Sequence, residues 1–235
     1  MSILVHILIY CNTLLVFYQK KQLNFCLFLS IILSMVDNIK KIIADASREL
    51  FNSNGYQKVT MRQIADRCGI SVGNLTYHYP HKEDLLMLEH DGILNAFLDN
   101  VLENRPDLTG LIGYFTVECA FLYRILNDPP VAALYFDVIN VPGLRKRYAE
   151  AHYRLYQHFC PEVGKRDDAW ISTLAMSALE YELADQGILA EPKEMEKIFK
   201  AKLLFEGKDP EEFAVLIHDA VEAGIRLAEQ LKEVY

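Results

Sequence analysis

The chain has 235 residues, of which 51% are hydrophobic, so it can bury a sizeable core in one large domain or two smaller ones. Its formal net charge of −8 argues against a protein that coats nucleic acid nonspecifically. The five cysteines contain no close pair at metal-binding spacing, which is ordinary for a cytoplasmic protein, and we expect neither a metal nor another cofactor.

The first 34 residues are almost wholly apolar and contain no acidic residue. Their two apolar runs, from Ile3 to Tyr18 and from Leu23 to Leu33, are shorter than the roughly 18 to 20 residues that a membrane-spanning helix needs. A secretory signal carries positive charge ahead of its apolar run, whereas the first lysine here is Lys20. Because Met35 stands just before the first periodic helix, we expect residues 1–34 to be an extension absent from the working protein, without stable membrane association. A membrane-associated segment is the alternative.

An amphipathic helix is predicted from Asn38 to Asn54, where apolar residues recur at intervals of three and four. Asn54 and Gly55 supply its stop signal. We expect this helix to cover the segment that follows it.

Two short helices joined by a tight turn are predicted next. Thr60 can cap the first of them, and Gln63, three residues on, completes a capping box. Gly69 stands where left-handed backbone would end that helix, and Ser71 is a good cap for the second helix, from Val72 to Tyr79. This pattern predicts a helix-turn-helix.

The second of these helices is short and carries groups that suit the edges of DNA bases. Gly73 lies near its start, and the polar and aromatic side chains are those of Asn74, Thr76, Tyr77 and His78. Every base pair has its own donor and acceptor pattern in the major groove, which such side chains can read. Lys82 follows in the first turn of the next helix, where its charge and the free N–H groups can face a phosphate.

From Thr60 to Leu85 the sequence resembles the DNA-binding signature of the TetR family of transcriptional regulators, T-x-x-x-I-A-x-x-x-G-[IV]-S-x-G-x-L-x-Y-H-[FY]-x-x-K-x-x-L. Cys68 stands where the family usually has alanine, and Thr76 stands where it most often has tyrosine, so base reading at Thr76 departs from the pattern. The resemblance extends from Asn38 to His90. The matching residues are Thr60, Ile64, Ala65, Gly69, Ile70, Ser71, Gly73, Leu75, Tyr77, His78, Tyr79, Lys82 and Leu85.

The resemblance implies an all-α fold, with an N-terminal three-helix DNA-binding head that contains the helix-turn-helix, followed by a larger helical ligand-binding and dimerisation domain. We expect the head to span residues 35–82 and the larger domain to span residues 83–235. Thr60 and Lys82 are expected on phosphates, and the other DNA-contacting residues at or near the bases. The full set expected at DNA is Thr60, Arg62, Ser71, Val72, Gly73, Asn74, Thr76, Tyr77, His78 and Lys82.

Charge and helical spacing separate the rest of the chain from this head. Residues 37–90 hold seven Lys or Arg and seven Asp or Glu, whereas residues 91–235 hold 15 Lys or Arg and 25 Asp or Glu, so the DNA-facing part is the head. Apolar periodicity predicts a long helix followed by six more, which run from Lys82 to about Glu103, Leu108 to Leu126, Val131 to Ile139, Gly143 to Phe159, Asp168 to Ile188, Lys193 to Phe205 and Glu211 to Val234.

The middle helices are rich in aromatic residues, and ligand sites are mostly apolar with a few polar tips. Phe115, Cys119, Leu122 and Tyr123 share one helix face, which we predict to be a pocket wall with Tyr156 opposite. Plain core packing is the alternative for each of these side chains.

The last helix has small residues four apart at Ala220, Gly224 and Ala228. A mid-helix glycine costs up to about 1 kcal/mol relative to alanine, which is easiest to understand where another backbone comes close. We therefore predict a homodimer built on this helix and the Asp168 helix, with chain-internal packing of the same face as the alternative. The predicted interface residues are Ile171, Leu174, Ala175, Ala178, Phe213, Ile217, Ala220, Gly224, Leu227, Ala228 and Leu231.

The sequence therefore predicts a cytoplasmic, non-enzymatic, sequence-specific regulator of transcription. We expect a repressor that a small, largely apolar effector releases from a near-palindromic duplex operator. A constitutive DNA binder, or one whose partner is a protein, is an alternative, and a membrane-tethered regulator is another if residues 1–34 belong to the working protein. A metal-dependent helical hydrolase is the enzyme alternative, and its candidate residues are the pairs His90-Asp91 and His218-Asp219 with His152 and His158 between them.

Overall fold

The computed structural model describes residues 38–163 and 167–231, and this part of the chain consists of α-helices, short 3-10 turns and connecting loops, without a β-strand. The all-α fold class predicted from the sequence is confirmed. The apolar leader lies outside the described residues. No helix in the described ranges combines the length and the apolar character needed to cross a membrane.

The described residues form ten α-helices, numbered here in chain order. They are α1 (residues 38–54), α2 (Met61–Cys68), α3 (Val72–His78), α4 (Lys82–Asn104), α5 (Gly110–Leu126), α6 (Pro129–Asn140), α7 (Pro142–Phe159), α8 (Asp167–Asp185), α9 (Pro192–Phe205) and α10 (Ala214–Gln230). Each predicted helix is present, with ends that differ by a few residues. The last one begins at Ala214 rather than Glu211 because Pro210–Phe213 forms a 3-10 turn.

Helices α1, α2 and α3 form the N-terminal head. Ile43 and Phe51 of α1, Ile64 and Ala65 of α2, and Leu75 of α3 are buried and belong to one apolar core. These are the positions that helical spacing assigns to inner faces, so the head folds around a few large apolar side chains.

Helix α4 starts in the head and continues into the body of helices α5 to α10. Its Leu94, Phe97 and Val101 are buried with the body core. The start of α4 is also bound to the body, because Arg147 of α7 donates to Asp84 of α4 across 2.7 Å. The boundary between head and body at residue 82 stays a prediction.

Helix α5 is the centre of the body, and each residue from Gly113 to Leu122 is buried. A helix that is apolar on all sides is stable in water only when other helices surround it. Here α4, α6, α7 and α10 pack around it. One acidic residue, Glu118, is buried within this apolar helix.

The small-residue stripe on α10 packs inside the chain, which corrects the predicted dimer interface. Ile217, Ala220, Gly224, Leu227 and Ala228 are buried in the single chain, and Phe213 and Leu231 pack half-buried against the same core. A β-carbon at Gly224 would lie 2.7 Å from the carbonyl oxygen of Thr116. A second backbone does approach Gly224, as its mid-helix position suggested, but it is that of α5 in the same chain.

The other predicted interface helix, α8, keeps an apolar face in solvent. Ile171, Leu174, Ala178 and Leu179 are exposed, and Ala175 between them is half-buried. Helix α8 packs its opposite face on α7 and α9. In the single chain, the α8 part of the predicted interface is therefore exposed to solvent.

Candidate nucleic-acid interface

The turn between α2 and α3 is held by local hydrogen bonds. The Thr60 side chain accepts from the Gln63 backbone N–H at 3.3 Å, and the Gln63 side chain accepts from the Thr60 backbone N–H at 2.8 Å, which completes the predicted capping box. Gly69 ends α2 with φ 69°, a left-handed conformation that favours glycine. The Ser71 hydroxyl accepts from the Asn74 N–H at 3.1 Å and caps α3.

Helix α3 presents one face to solvent and anchors the other by a single side chain. Leu75 is fully buried, whereas Val72, Gly73 and Asn74 are exposed and Tyr77 is 84% exposed. An aromatic ring left so open has no role in packing the chain, and a groove-reading helix needs such projecting groups. Tyr79, predicted as the last residue of this helix, is instead its C-terminal cap.

The predicted base-reading side chains of α3 differ in how available they are for hydrogen bonds to DNA bases. The Thr76 hydroxyl donates to the Gly73 carbonyl oxygen at 3.2 Å, so its hydrogen is already used within the helix. His78 is half-buried with its ring edge-on to Tyr77, 5.2 Å between centroids. Asn74 and Tyr77 are the polar side chains of α3 that point most fully into solvent.

Lys82 is bound inside the head. Its ammonium donates to the carbonyl oxygens of Tyr56 and Val59, at 3.0 Å each, and lies 4.0 Å from the centroid of the Tyr56 ring. The bonds join the start of α4 to the turn that precedes α2. The phosphate contact predicted for Lys82 remains a prediction, since a side chain with three donors can keep these bonds and still meet a phosphate.

Exposed basic residues elsewhere on the head remain available to phosphates. Lys58 and Arg62 flank the start of α2 and are exposed, as is the capping residue Thr60. Arg67 is paired with Glu49 of α1, with 2.6 Å between Nη2 and Oε2. The start of α2 thus offers exposed cations on the same three-helix head that carries the exposed face of α3.

The residues predicted to wall an effector pocket lie in the packed body. Phe115 stacks on Phe199 of α9 with 4.4 Å between ring centroids. The Cys119 thiol lies 3.4 Å from the Val221 carbonyl oxygen of α10, and burial raises the pKa of this thiol to about 12. Leu122 is fully buried and Tyr123 half-buried. This is the core packing that the sequence left open as the alternative, and a ligand role for these side chains stays a prediction.

Tyr156 belongs to a buried polar network in which the main groups have partners. Its hydroxyl donates to Glu206 at 2.9 Å, and Lys202 contacts the same carboxylate at 3.2 Å. The Lys202 ammonium also donates to the hydroxyls of Ser172 and Thr173 at 2.8 and 3.1 Å. Burial lowers the pKa of Lys202 to about 8 although Glu206 acts in the opposite direction. A network satisfied in this way holds α7, α8 and α9 together.

A second buried polar cluster was missed by the sequence analysis. His152 Nδ1 lies 2.5 Å from Glu118 Oε1, and the Tyr148 hydroxyl donates to Glu180 at 2.8 Å. The His90 ring lies 5.8 Å from that of His152, between centroids. His90 and His152 were singled out only as candidates for the hydrolase alternative, and the further sequence signal was Glu118, a lone acid in an apolar helix. We call these residues, Glu118, His152, Tyr148, Glu180 and His90, the core cluster.

The core cluster is only half satisfied. Glu118 Oε2, Glu180 Oε1, His152 Nε2 and His90 Nε2 are buried and have no hydrogen-bond partner within residues 38–163 and 167–231. Burial, with the charge of Glu118, raises the pKa of Glu180 to about 7. Burial acts to lower the pKa of His152, but Glu118 outweighs it and the pKa is raised. Unpaired buried carboxylate oxygens are costly, so the free oxygens of Glu118 and Glu180 suit a ligand that brings donors.

The geometry does not assemble the residues of the hydrolase alternative into a metal site. His90 and His152 meet in the core, whereas His218 lies exposed on α10, where it pairs with Glu196 at 3.0 Å. Within the described residues no group of three or more His, Cys, Asp and Glu side chains is placed to hold a metal ion.

Comparison with known proteins points to the same part of the chain. Residues 43–87 match the sequence model described as bacterial regulatory proteins, tetR family. The HTH-type transcriptional repressor KstR2 of Rhodococcus jostii is 33% identical over 78 residues, which are 32% of this chain and 36% of that protein. The chain therefore matches about a third of that relative's length.

Two longer similarities are weaker. The HTH-type transcriptional regulator SAB2452 of Staphylococcus aureus is 24% identical over 126 residues, covering 54% of this chain and 67% of that protein. Among solved structures, TylP, a TetR regulator from Streptomyces fradiae, aligns at 15% identity and a TM-score of 0.39, covering 80% of this chain and 98% of that one.

Proposed function

This chain carries a TetR-family DNA-binding domain at residues 43–87, and on that premise we propose that it is a sequence-specific DNA-binding regulator of transcription that reads operator bases with α3. The single observation that carries the proposal is the exposed face of α3, where Asn74 and Tyr77 project beside a tightly capped turn. The Asn74 amide offers both a donor and an acceptor, which is the pairing that adenine presents in the major groove.

The proposal includes a homodimer on a near-palindromic operator. The α8 face with Ile171, Leu174 and Ala178 supports it, because a helix that exposes a continuous apolar face is suited to a second copy. Two-fold symmetry is the commonest closed arrangement, and it would set two α3 helices on half-sites about one DNA turn apart or a multiple of it.

We further propose that a small effector releases the operator, so that the protein acts as a repressor located in the cytoplasm with its DNA. The core cluster supports this, since it combines the unpaired carboxylate oxygens of Glu118 and Glu180 with the His152 ring, which packs against the rings of Phe121 and Tyr148. The effector would then be largely apolar, as the sequence suggested, with at least one donor or cationic group. A ligand changes DNA affinity only by its differential affinity for the two conformations.

Selection from a pool of randomised DNA duplexes tests the proposal. The purified full chain should enrich an inverted repeat and then bind that duplex more tightly than a scrambled duplex of the same length at physiological salt. The matched comparison is Asn74→Ala, which should reduce the difference in affinity between the selected and the scrambled duplex while leaving the helical content unchanged. Equal binding of selected and scrambled duplexes by the wild-type protein would contradict sequence-specific recognition.

A further inference from the structure

A cleft of about 460 Å³ lies where the head meets the body, between α1, α4 and α6. Its volume falls within the range of about 300 to 1,000 Å³ that small-molecule sites occupy. The walls are apolar over most of their area, with one charged pair at the edge. Among the residues that line it are Arg48, Phe51, Glu89, Gly92, Val131 and Leu134.

Glu89, which is one of the residues that line this cleft, carries an unsatisfied acceptor. The side chain is only 3% exposed, and its Oε2 accepts from Arg48 Nε at 2.7 Å. The other oxygen, Oε1, is buried and has no hydrogen-bond partner in the part of the chain that the structure describes. Burial raises the pKa of Glu89, while Arg48 acts to lower it. A buried carboxylate oxygen without a donor is costly, so a ligand that supplies a donor there gains affinity.

The charges beside the cleft favour a cation over an anion. Arg48 faces two carboxylates, because its Nη1 also lies 3.4 Å from Asp45 Oδ1. One guanidinium between two carboxylates leaves a net negative charge when all three groups are ionised. An anionic ligand would meet that charge, whereas an ammonium group would balance it.

Gly92 keeps the cleft open on the α4 side. A β-carbon at Gly92 would have no other atom within 4 Å, so the space beside it belongs to the cleft. Glycine within a helix costs up to about 1 kcal/mol relative to alanine, and neither a close approach nor a positive φ accounts for it here. The missing side chain leaves open space on this side of the cleft.

We propose that this cleft binds a small apolar molecule that carries an ammonium or other hydrogen-bond-donating group. The donor pairs with the Glu89 carboxylate, and the apolar part packs between Phe51 of α1 and Val131 and Leu134 of α6. The cleft shares α4 with the core cluster, but none of the core-cluster residues is among those that line it.

Because the cleft lies between the head and the body, a molecule bound there can change the orientation of the head relative to the body. Helix α6 lines the cleft with Val131 and also lies close to the head at Asp137, where the Gln57 side chain and the backbone of Tyr56 act to lower the pKa of the Asp137 carboxyl. A ligand in the cleft therefore contacts α1 of the head and α6 of the body at the same time. On the proposed function, it would act as a second effector that changes how the heads meet an operator.

Calorimetric titration of the full chain with primary alkylammonium ions, from butyl to decyl, tests the site. Alkyl carboxylates of matched length are the charge control, and three variants are compared with the wild type. Glu89→Gln removes the charge of the acceptor, and Gly92→Leu fills the cleft with a better helix former. Gly143→Leu is the matched control, since Gly143 is also a helical glycine with open space around its missing β-carbon but lies on α7.

The expected result is saturable binding of one alkylammonium ion per chain, weakened about tenfold or more in Glu89→Gln and abolished in Gly92→Leu, with Gly143→Leu unchanged. Carboxylates should bind more weakly than the ammonium ions. Absence of saturable binding to the wild type, equal binding of carboxylates, or undiminished binding to Gly92→Leu would each overturn the proposal. The titration needs no DNA, so its result does not depend on whether the operator selection succeeds.

Discussion

The ammonium of Lys82 lies 3.0 Å from the carbonyl oxygen of Tyr56 and 4.0 Å from the centroid of the Tyr56 ring. The first residue of α4 is thus bound to the turn ahead of α2, and a second bond to Val59 strengthens the joint. One side chain therefore fixes the start of α4, the helix that leads into the body, against the helix-turn-helix. Its removal should disturb the head whether or not DNA is present.

Lys82→Met should lower the free energy of unfolding by about 1 to 3 kcal/mol, because two buried carbonyl oxygens lose a charged donor. Urea unfolding measures this loss. The phosphate contact is tested separately by the salt dependence of operator binding, whose slope should fall by about one if Lys82 meets a phosphate. Arg62→Met, at an exposed residue of α2, is the control that should change the salt slope without changing stability. Unchanged stability of Lys82→Met would contradict the structural role.

Asn74→Ala should cost about 1 to 3 kcal/mol of discrimination between operator and scrambled duplex, since the exposed amide is the α3 group best suited to a bidentate base contact. Titration of both duplexes with the variant measures the loss. Thr76→Val is the comparison, because the Thr76 hydroxyl hydrogen is already bonded to Gly73 within α3 and should contribute less. A larger loss of discrimination in Thr76→Val than in Asn74→Ala would reverse this assignment.

The helix-turn-helix was predictable because its signals are local. Thr60 and Gln63 are three residues apart, and the φ of 69° at Gly69 follows from a residue that tolerates left-handed backbone. The core cluster was not predictable in the same way. Glu118 and His152 are 34 residues apart in sequence, so only the packing of α5 against α7 brings them together.

The interface on α10 shows a different limit of sequence reasoning. Periodicity at Ala220, Gly224 and Ala228 indicates that one face of the helix is buried, which the structure confirms. Periodicity does not tell which helix covers that face, because a stripe of small residues accepts a helix of the same chain or of a second copy equally well. Exposure of the apolar α8 face could not be predicted either, because it depends on which helices of the body pack against α8.

Glu180 should make the stability of the protein fall as the pH rises. Burial and the charge of Glu118 raise the folded-state pKa of Glu180 from 4.5 to about 7, so the folded chain binds its proton more tightly than the unfolded chain. The resulting stabilisation is fully present below pH 4.5 and is lost as the pH rises through about 7. Other groups titrate too, so the quantity to measure is the difference in free energy of unfolding between the wild type and Glu180→Gln. That difference should shift in favour of the variant across this window, and a constant difference would contradict the raised pKa.

Gly224→Ala should destabilise the chain by about 1 to 3 kcal/mol, since its β-carbon would lie 2.7 Å from the Thr116 carbonyl oxygen and 2.8 Å from Cβ of Cys119. Gly92→Ala is the matched control with the opposite expected sign. It has open space around the new carbon and should gain up to about 1 kcal/mol from helix propensity. Urea unfolding of both variants measures the contrast. Stabilisation of Gly224→Ala would mean that α5 and α10 are not packed as described.

The α8 face should carry the contact between two copies, and Leu174→Glu is the substitution that tests it. Leu174 is 42% exposed and Ile171 is 51% exposed, so a carboxylate at either position is tolerated by the folded single chain but not in an apolar contact. Loss of one buried leucine should weaken association by at least about 2 kcal/mol, or about thirtyfold in Kd, and sedimentation at falling protein concentration measures it.

Val215→Glu is the control for that substitution, because Val215 is an apolar side chain of α10 that is 75% exposed and lies outside the α8 face. Leu174→Glu should dissociate where Val215→Glu remains dimeric. Operator affinity should fall in parallel, since two heads on one rigid dimer engage both half-sites at a high effective concentration and a single head does not. A Leu174→Glu protein that stays dimeric at the lowest measurable concentration would place the interface elsewhere. If Leu174→Glu and Val215→Glu dissociated equally, the effect would come from added negative charge on an already acidic body rather than from the α8 face.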